Sequence, residues 1–200
     1  MTNFTELANM VIKNDLITIR MYQDSDFEQL EAIFKKEFFE WFFTNYDNCA
    51  QFVNEKIDEY NKQKLIMYVI IDNQMNKVIG TSSLYEISFR HKRLEMGSSW
   101  LAKEYHGTKY NSLAKYEFIR ELIEVHKFNR IQWKTDGLNL KSQNAMLKLG
   151  FKHEGILERH AITNSGRVRD SFVFAVTDIT WHENVKQKVL ERIANKGVIA

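Results

Sequence analysis

The sequence contains no proline and only one cysteine, Cys49, among its 200 residues. A single cysteine excludes an internal disulfide framework, and without a CxxC pair there is no structural zinc pattern. No apolar run is long enough to cross a bilayer, and the first residues have neither the charged nor the apolar part of a signal peptide. These absences predict a cytoplasmic protein that does not enter a membrane.

Charge of one sign is also missing, because 28 lysines and arginines face 26 aspartates and glutamates. The formal net charge of +2 is too small to indicate direct nucleic-acid binding. The six histidines are irregularly spaced, and we expect no metal site. The length predicts one domain over residues 1–200, in which residues 1–15 form either a short amphipathic helix or a frayed leader.

Hydrophobic periodicity predicts both strands and helices. Strands are predicted at residues 16–20, 65–71, 77–85, 95–101, 131–135, 151–157 and 168–179, the last two joined by a turn at Asn164–Gly166. Helices are predicted around residues 27–34, from a cap at Asp47 or Asn48 to residue 61, and at residues 111–127, 142–149 and 181–193. This order predicts an α+β (mixed α/β) fold with a mostly antiparallel central sheet of six to seven strands flanked by helices.

The segment from residue 95 to residue 111 is the strongest candidate for a binding site. A predicted strand breaks there, and a helix begins directly after the break. Free backbone N–H groups and the positive end of the helix dipole suit a phosphate at such a position. The alternative is a loop that only joins the strand to the helix.

Residues 38–43 read Phe-Phe-Glu-Trp-Phe-Phe, which is too aromatic for one face of a helix. These rings either line the core or form a wall of an acceptor pocket, because aromatic rings bind apolar chains and cations alike.

Several motifs, in order and spacing, resemble one family. Asn139-Leu-Lys-Ser142 is followed by Lys148-Leu-Gly-Phe151, by Gly166-Arg-Val-Arg-Asp170 and by Trp181. Together these resemble the GNAT acetyltransferases, and most closely the RimJ/RimL type, which acetylates the N-terminal amine of ribosomal proteins. The resemblance spans residues 16–190. It includes that branch's cofactor loop, in the segment Trp100-Leu … His106-Gly-Thr108 … Asn111 … Lys115.

The resemblance implies a GNAT fold that binds acetyl-CoA, with CoA as product, where two neighbouring parallel strands splay apart. The family's phosphate loop, Gln/Arg-x-x-Gly-x-Gly/Ala, falls on His106, Lys109 and Asn111, and this chain departs from it at all three positions. Asn tolerates left-handed backbone better than most residues, and Lys109 adds a cation near the phosphates. The implied cofactor-binding residues are Ser99, Trp100, Leu101, His106, Gly107, Thr108, Lys109, Tyr110, Asn111, Asn139 and Ser142.

Two catalytic residues are implied by the resemblance. Glu95 matches the family's carboxylate base, with an exposed strand residue paired to a lysine or arginine as the alternative. Many relatives carry a tyrosine acid where this chain has Met146, which cannot donate a proton. Ser142 is the implied substitute for this acid, and the alternative is that its hydroxyl only caps the helix. Asn139 is implied to contact the cofactor, and its alternative is also helix capping. The backbone N–H groups at residues 98–100 would polarise the thioester carbonyl.

The implied reaction is direct acetyl transfer to a primary amine, with a protein N-terminal α-amine as the first expectation. Small amines such as polyamines, amino acids or aminoglycosides are the alternative, and a silent acyl-CoA-binding module is a second. Either a monomer or a homodimer is compatible with the sequence. Pairing among Arg167, Arg169 and Asp170 is expected to be structural. The expected substrate-binding residues are Phe38, Trp41, Phe42 and Tyr85.

Overall fold

The computed structural model of the protein describes residues 2–163 and 165–196. Helices and strands occur along the whole of this length. In chain order they are α1 (Phe4–Ala8), β1 (Val11–Lys13), β2 (Ile17–Met21), α2 (Phe27–Ile33), α3 (Cys49–Asn61), β3 (Leu65–Asp72), β4 (Lys77–Ser88), β5 (Arg93–Leu101), α4 (Tyr110–Arg120), β6 (Arg130–Asp136), α5 (Leu140–Lys148), β7 (Lys152–Ile162), β8 (Val168–Thr177), α6 (Asp178–Thr180) and α7 (Lys186–Ala194).

The described strands form one sheet in the order β1-β2-β3-β4-β5-β6-β8-β7. Every neighbouring pair is antiparallel except β5 and β6, which run parallel with α4 as the crossover between them. The predicted mixed fold with a mostly antiparallel sheet and flanking helices is confirmed. The sheet has eight strands rather than six to seven, because β1 adds an edge strand beside β2.

The first residues are not a frayed leader. Asn3 begins α1 with a capping box: its side chain accepts from the Glu6 N–H, and the Glu6 carboxylate accepts from the Asn3 N–H. Leu7 on this helix is fully buried. The prediction of a short helix within residues 1–15 is therefore confirmed for Phe4–Ala8. It missed the strand β1 (Val11–Lys13), which follows the helix and joins the sheet.

Side chains of β3 alternate between two apolar layers, one on each face of the sheet. Tyr68 faces the layer that holds α1, α4 and Trp181. Met67 faces the layer formed by α2, α3 and residues 36–46, which contains Phe39 and Trp100. Burial on both faces explains why β3 reads as a continuous apolar run in the sequence.

Element boundaries follow local capping groups. Asn48 begins α3, since its side chain accepts from the Gln51 N–H at 2.9 Å, as one of the two predicted caps. Thr177 provides a second cap. The strand β8 ends at Thr177, two residues before the predicted end at residue 179, and the helix α6 begins at Asp178, three residues before the predicted start at Trp181.

Two segments have π-helical geometry, Glu121–Val125 after α4 and Trp181–Val185 between α6 and α7. None of the helices within residues 2–163 and 165–196 combines the length and the apolar character needed to span a bilayer. The predicted turn at Asn164–Gly166 includes Asn164, which lies outside the described residues. Around it, the Thr163 N–H donates to the Arg167 carbonyl at 2.9 Å and closes the β7–β8 hairpin.

Candidate active site

The parallel strands β5 and β6 separate soon after they pair. They are in register only from Arg93 to Glu95 on β5, although β5 continues to Leu101. A bulge at Ser98, where φ is +48°, bends β5 away and shifts its register with β4. The result is a gap between the carboxyl ends of two parallel strands, which is the splay that the family resemblance implies.

The loop after β5 is held in place by its own side chains. The His106 ring contacts the Leu101 carbonyl through Nε2 at 2.9 Å, and the Thr108 hydroxyl donates to the Tyr105 carbonyl at 2.7 Å. Gly107 adopts φ of +82°, a left-handed conformation that favours glycine. The Tyr105 hydroxyl fixes the loop to the sheet by donating to the buried Asp72 carboxylate at 2.9 Å.

Backbone N–H groups of this loop are left without acceptors. Within the described part of the chain, no protein atom accepts a hydrogen bond from the backbone N–H of Gly107, Thr108, Lys109, Asn111 or Ser112. All five lie at the start of α4, where the helix dipole is positive. This cluster of donors has the chemistry of an anion site, and a diphosphate is an anion of suitable charge.

Some predicted cofactor residues can contribute only their backbone. The side chains of Trp100, Leu101 and Tyr110 are buried in the apolar layers, and the Tyr110 hydroxyl donates to Asp72 at 3.0 Å. Ser99 remains half-buried at the gap, and its hydroxyl shares a 2.7 Å hydrogen bond with Ser82. His106 and Gly107 are exposed on the loop.

Glu95 is buried rather than exposed, with 1% of its surface accessible. Its Oε2 lies 2.7 Å from Lys134 Nζ and accepts from the Gln132 side chain at 3.0 Å. Lys134 also donates to Glu86 at 3.0 Å, and the Glu86 side chain is half exposed to solvent. The alternative prediction for Glu95 was an exposed residue paired with a lysine or arginine. Glu95 does pair with a lysine, Lys134, but it is buried and not exposed.

Tyr85 lies opposite Glu95 on β4. Burial and the neighbouring Glu95 carboxylate raise the pKa of the Tyr85 phenol well above its ordinary value. Burial lowers the pKa of Lys134, but the bonds to Glu95 and Glu86 outweigh this and raise it overall. Tyr85 is therefore a neutral donor and Lys134 a cation beside a buried carboxylate.

Two further buried donors on this face of the sheet have no partner in the described part of the chain, the Ser83 hydroxyl and the Trp100 indole N–H. Ser83 pairs with Gly97 and lies between Thr81 and Tyr85 on β4, so it faces the same side as Glu95. Buried polar groups without partners are uncommon in folded proteins. Both groups therefore keep an unused hydrogen-bonding capacity inside the protein.

The opposite side of the gap is formed by the start of α5. The Asn139 side chain caps this helix by accepting from the Ser142 N–H at 3.0 Å. The Ser142 hydroxyl makes no hydrogen bond to another described residue and is half-buried, so it is not the cap. Met146 is buried at 3% exposure in the apolar layer.

The aromatic segment belongs only partly to the core. Phe39 is fully buried among Phe34, Phe52 and Trp100 and belongs to the core. Phe38 is half-buried, stacks on the Trp100 ring at 5.2 Å and lies 5.9 Å from the His106 ring. Trp41 and Phe42 are also half-buried. Of these three rings, Phe38 lies beside the loop through its contact with His106.

An arginine pair anchors this aromatic segment. Arg169, which is 3% exposed, donates to the Trp41 carbonyl at 2.9 Å, and its guanidinium lies 4.1 Å from the centre of the Phe43 ring. Arg167 forms an ion pair with the buried Asp136 carboxylate, and Arg169 Nε lies 3.7 Å from the same group. The acidic partner is therefore Asp136, whereas Asp170 accepts from the Arg159 N–H.

Sequence reasoning missed Gln132, Lys134 and Asp136. The alternation in β6 carries part of the signal, since residues two apart share a face of the sheet and Gln132 and Lys134 face Glu95 together. No local pattern connects Asp136 with the two arginines, because their contact crosses from β6 to β8. No group of three His, Cys, Asp or Glu side chains within residues 2–163 and 165–196 is arranged to hold a metal ion.

Gly97→Ala is expected to lower the free energy of unfolding by about 1–3 kcal/mol, the usual cost of overpacking. An added Cβ would lie 2.2 Å from the Tyr85 hydroxyl oxygen and 3.1 Å from its Cζ, so the ring must leave Glu95. Urea unfolding measures the change. In a Tyr85→Phe background the cost should be smaller, because the nearest clashing atom is gone; equal costs in both backgrounds would contradict this packing.

Known proteins were compared with the chain and with its fold. The family model described as "Acetyltransferase (GNAT) domain" matches residues 17–152. Among solved structures, a GCN5-related N-acetyltransferase from Brucella melitensis is 23% identical, with a TM-score of 0.83, and the alignment covers 94% of this chain and 86% of that one. No curated protein gives a significant match.

Two further structures are of proteins named for a substrate or bound to a ligand. A ribosomal-protein-S5-alanine acetyltransferase from Vibrio fischeri is 20% identical over 86% of this chain and 98% of that chain, with a TM-score of 0.69. Mycobacterium smegmatis RimJ, in complex with CoA-disulfide, is 15% identical over 88% of each chain, with a TM-score of 0.72. At these identities the likeness shows the fold. Since the family model covers well over half of the sequence, the chain belongs to the GNAT family of N-acetyltransferases.

Proposed function

We propose that the protein transfers the acetyl group of acetyl-CoA to the N-terminal α-amine of a polypeptide. The observation that carries the proposal is the set of five acceptor-free N–H groups at residues 107–112, next to the gap between β5 and β6. GNAT acetyltransferases use acetyl-CoA, and the RimJ structure with CoA-disulfide supports CoA binding on this fold.

In this proposal the loop holds the diphosphate. The N–H groups of Gly107, Lys109 and Asn111 donate to its oxygens, and the side chains of His106 and Thr108 hold the loop in the required conformation. Ser99, Trp100 and Leu101 present their backbone along β5 to the rest of the molecule. When bound, acetyl-CoA supplies an acetyl group activated as a thioester.

Glu95 is proposed as the group that takes the proton of the attacking amine. It is buried, so its carboxylate is shielded from bulk water, and it has a connected path to solvent. That path runs from Glu95 to Lys134 and from Lys134 to the half-exposed Glu86. Lys134 can pass one of its own protons to Glu86 or to the surrounding water and then accept the proton held by Glu95, which regenerates the base for the next turnover.

Ser142 is proposed as the donor that protonates the departing thiolate. Its hydroxyl has no partner among the described residues, while its N–H is already satisfied by Asn139. The hydroxyl is therefore available for a group in the gap. The backbone N–H groups at residues 98–100 are the candidates to polarise the carbonyl.

An α-amine suits this base better than a lysine side chain or a polyamine. The pKa of an α-amino group is about 8, against about 10.4 for a lysine amine, so far more of it is neutral at physiological pH. An acceptor of which a larger fraction is already neutral leaves fewer protons for the base to remove. The ribosomal-protein-S5-alanine acetyltransferase neighbour supports a protein as the acceptor.

The proposal predicts release of free thiol from acetyl-CoA when peptides with a free N-terminus are added. The same peptides with a blocked N-terminus, with lysine retained, serve as matched controls and should give only background release. Mass spectrometry of the product should place the acetyl group on the α-amine. Release with spermidine or free amino acids but not with peptides would contradict the peptide acceptor and favour a small amine.

A silent module is tested in the same experiment. The motivation for it is Met146, which is buried and cannot replace the family's tyrosine. If calorimetry shows acetyl-CoA binding but no amine in the panel releases thiol, transfer is refuted while the binding site stands.

A further inference from the structure

Lys115 is a buried lysine with no carboxylate beside it. The residue is 9% exposed, and within the described part of the chain its one hydrogen bond runs from Nζ to the Asn111 side-chain oxygen at 3.3 Å. Lys56, the other buried lysine of the described residues, is by contrast bonded to the Glu55 carboxylate at 2.9 Å and to the Tyr46 hydroxyl at 3.1 Å. A buried cation without a counter-charge is costly and needs an explanation.

The described residues around the Lys115 side chain carry no charge. It lies in a narrow pocket between α4 and the strands β3, β4 and β5. The neighbours that line this pocket are all neutral: Ile70, Thr81, Ser82, Met96, Ser99, Trp100, Leu101, Asn111, Ala114 and Phe118. The positive charge of Lys115 is therefore uncompensated inside the protein.

The ammonium group of Lys115 lies at the start of α4. Long helical side chains lean toward the helix N-terminus, and Lys115 reaches one turn back to the Asn111 side chain. Asn111 itself contributes one of the acceptor-free N–H groups. The helix N-terminus and the buried ammonium group, which are both positive, thus meet at one place, and no carboxylate lines the pocket there among the described residues.

We propose that Lys115 is the buried counter-charge for the diphosphate of CoA, oriented by Asn111. The inference rests on the proposed function, because it requires CoA to occupy the loop. It also gives a role to Asn111, which replaces the small residue that the family's loop usually has there. The Asn111 side-chain oxygen holds the ammonium at the helix start, where it compensates a loop that departs from the family pattern at His106, Lys109 and Asn111 itself.

Binding of the diphosphate should change the protonation of Lys115. In the free protein, burial lowers the pKa of Lys115 from its ordinary value of 10.5 to about 8. A nearby diphosphate favours the charged form and raises this pKa again. Binding should therefore take up a proton at a pH slightly above 8, where the free protein has lost much of this proton and the complex retains it.

The test is calorimetry of acetyl-CoA binding, without acceptor, at about pH 8.5 in two buffers with different ionisation enthalpies. Acetyl-CoA has no free thiol, and phosphate groups, with a second pKa of about 6, are already ionised at that pH. The wild type should take up a large fraction of one proton per binding event at about pH 8.5 and much less at about pH 6.5, where Lys115 is already charged.

Two variants separate the charge from the fold. Lys115→Met should weaken binding by at least about tenfold at pH 7, and should show no uptake at about pH 8.5. Lys115→Arg should keep most of the affinity but also lose the uptake, because a guanidinium stays charged throughout this range. Acetyl-pantetheine, which lacks the diphosphate, should bind the wild type and Lys115→Met equally.

The possible failures differ from one another. A wild type that binds acetyl-CoA with no proton uptake, or a Lys115→Arg protein that keeps the uptake, would overturn the role of Lys115 and leave the proposed function intact. A wild type that does not bind acetyl-CoA at all would refute the proposed function itself.

Discussion

Glu95→Gln is expected to lower kcat by about 100-fold or more, the usual contribution of a positioned general base. The amide keeps the size of the side chain and can still contact Gln132 and Tyr85, but it cannot take a proton from the acceptor amine. Initial rates of thiol release at saturating acetyl-CoA and peptide measure kcat. Calorimetry of acetyl-CoA binding should show little change, since Glu95 is not part of the loop at residues 106–112.

Glu86→Gln is the matched control for this effect. It removes the other carboxylate bound to Lys134, whose contact with Glu95 at 2.7 Å remains. The Glu86 side chain is half exposed, so water can take its place as proton acceptor from Lys134, and its loss should change kcat severalfold at most. Equal rate losses in the two variants would assign the effect to the charge balance around Lys134. A Glu95→Gln enzyme with nearly full activity would remove Glu95 as the base.

Asp136→Ala is expected to lower the free energy of unfolding by about 3–5 kcal/mol, the cost of removing one partner from a buried ion pair. Asp136 is 1% exposed and is the counter-charge of Arg167 and of the buried Arg169. Burial already lowers the pKa of Arg169, and loss of Asp136 would remove the carboxylate that opposes this shift. Such a loss is a large part of the stability of an average domain, so urea denaturation should show it plainly.

Asp170→Ala provides the comparison on the neighbouring strand. Asp170 is exposed, and its side chain accepts from the Arg159 N–H at 2.7 Å without an arginine partner. We expect a cost within about 1 kcal/mol, as for an exposed hydrogen bond. Similar losses in the Asp136 and Asp170 variants would show that the arginine cluster does not carry the stability assigned to it.

The anchoring of the aromatic segment explains why Asp136 matters beyond stability. Asp136 holds Arg169, and Arg169 in turn bonds to the Trp41 carbonyl and supports the Phe43 ring. The half-buried rings of Phe38, Trp41 and Phe42 therefore depend on a charge cluster at the far end of β6. No residue of that cluster contacts the loop that is proposed to hold CoA.

The sequence by itself determined the features that depend on neighbouring residues. A helix cap at Asp47 or Asn48, the hairpin of β3 and β4, and the strand that breaks into α4 at residues 102–110 are each encoded within a few residues. The mixed α+β fold follows from the order of these elements. The motifs at residues 95–181 also identified the family before any contact was known.

Only the tertiary structure decided which side chains meet. Whether Glu95 is exposed or buried, and which lysine it contacts, depends on the parallel pairing of β5 with β6 across the α4 crossover. Three other features also depend on elements that are distant in sequence. Asp136 pairs with two arginines, Phe39 is buried while Phe38 is only half-buried, and no carboxylate lines the pocket around Lys115 among the described residues. Local patterns fix where a strand or helix begins and which face is apolar, whereas burial and charge pairing are set by what packs against that face.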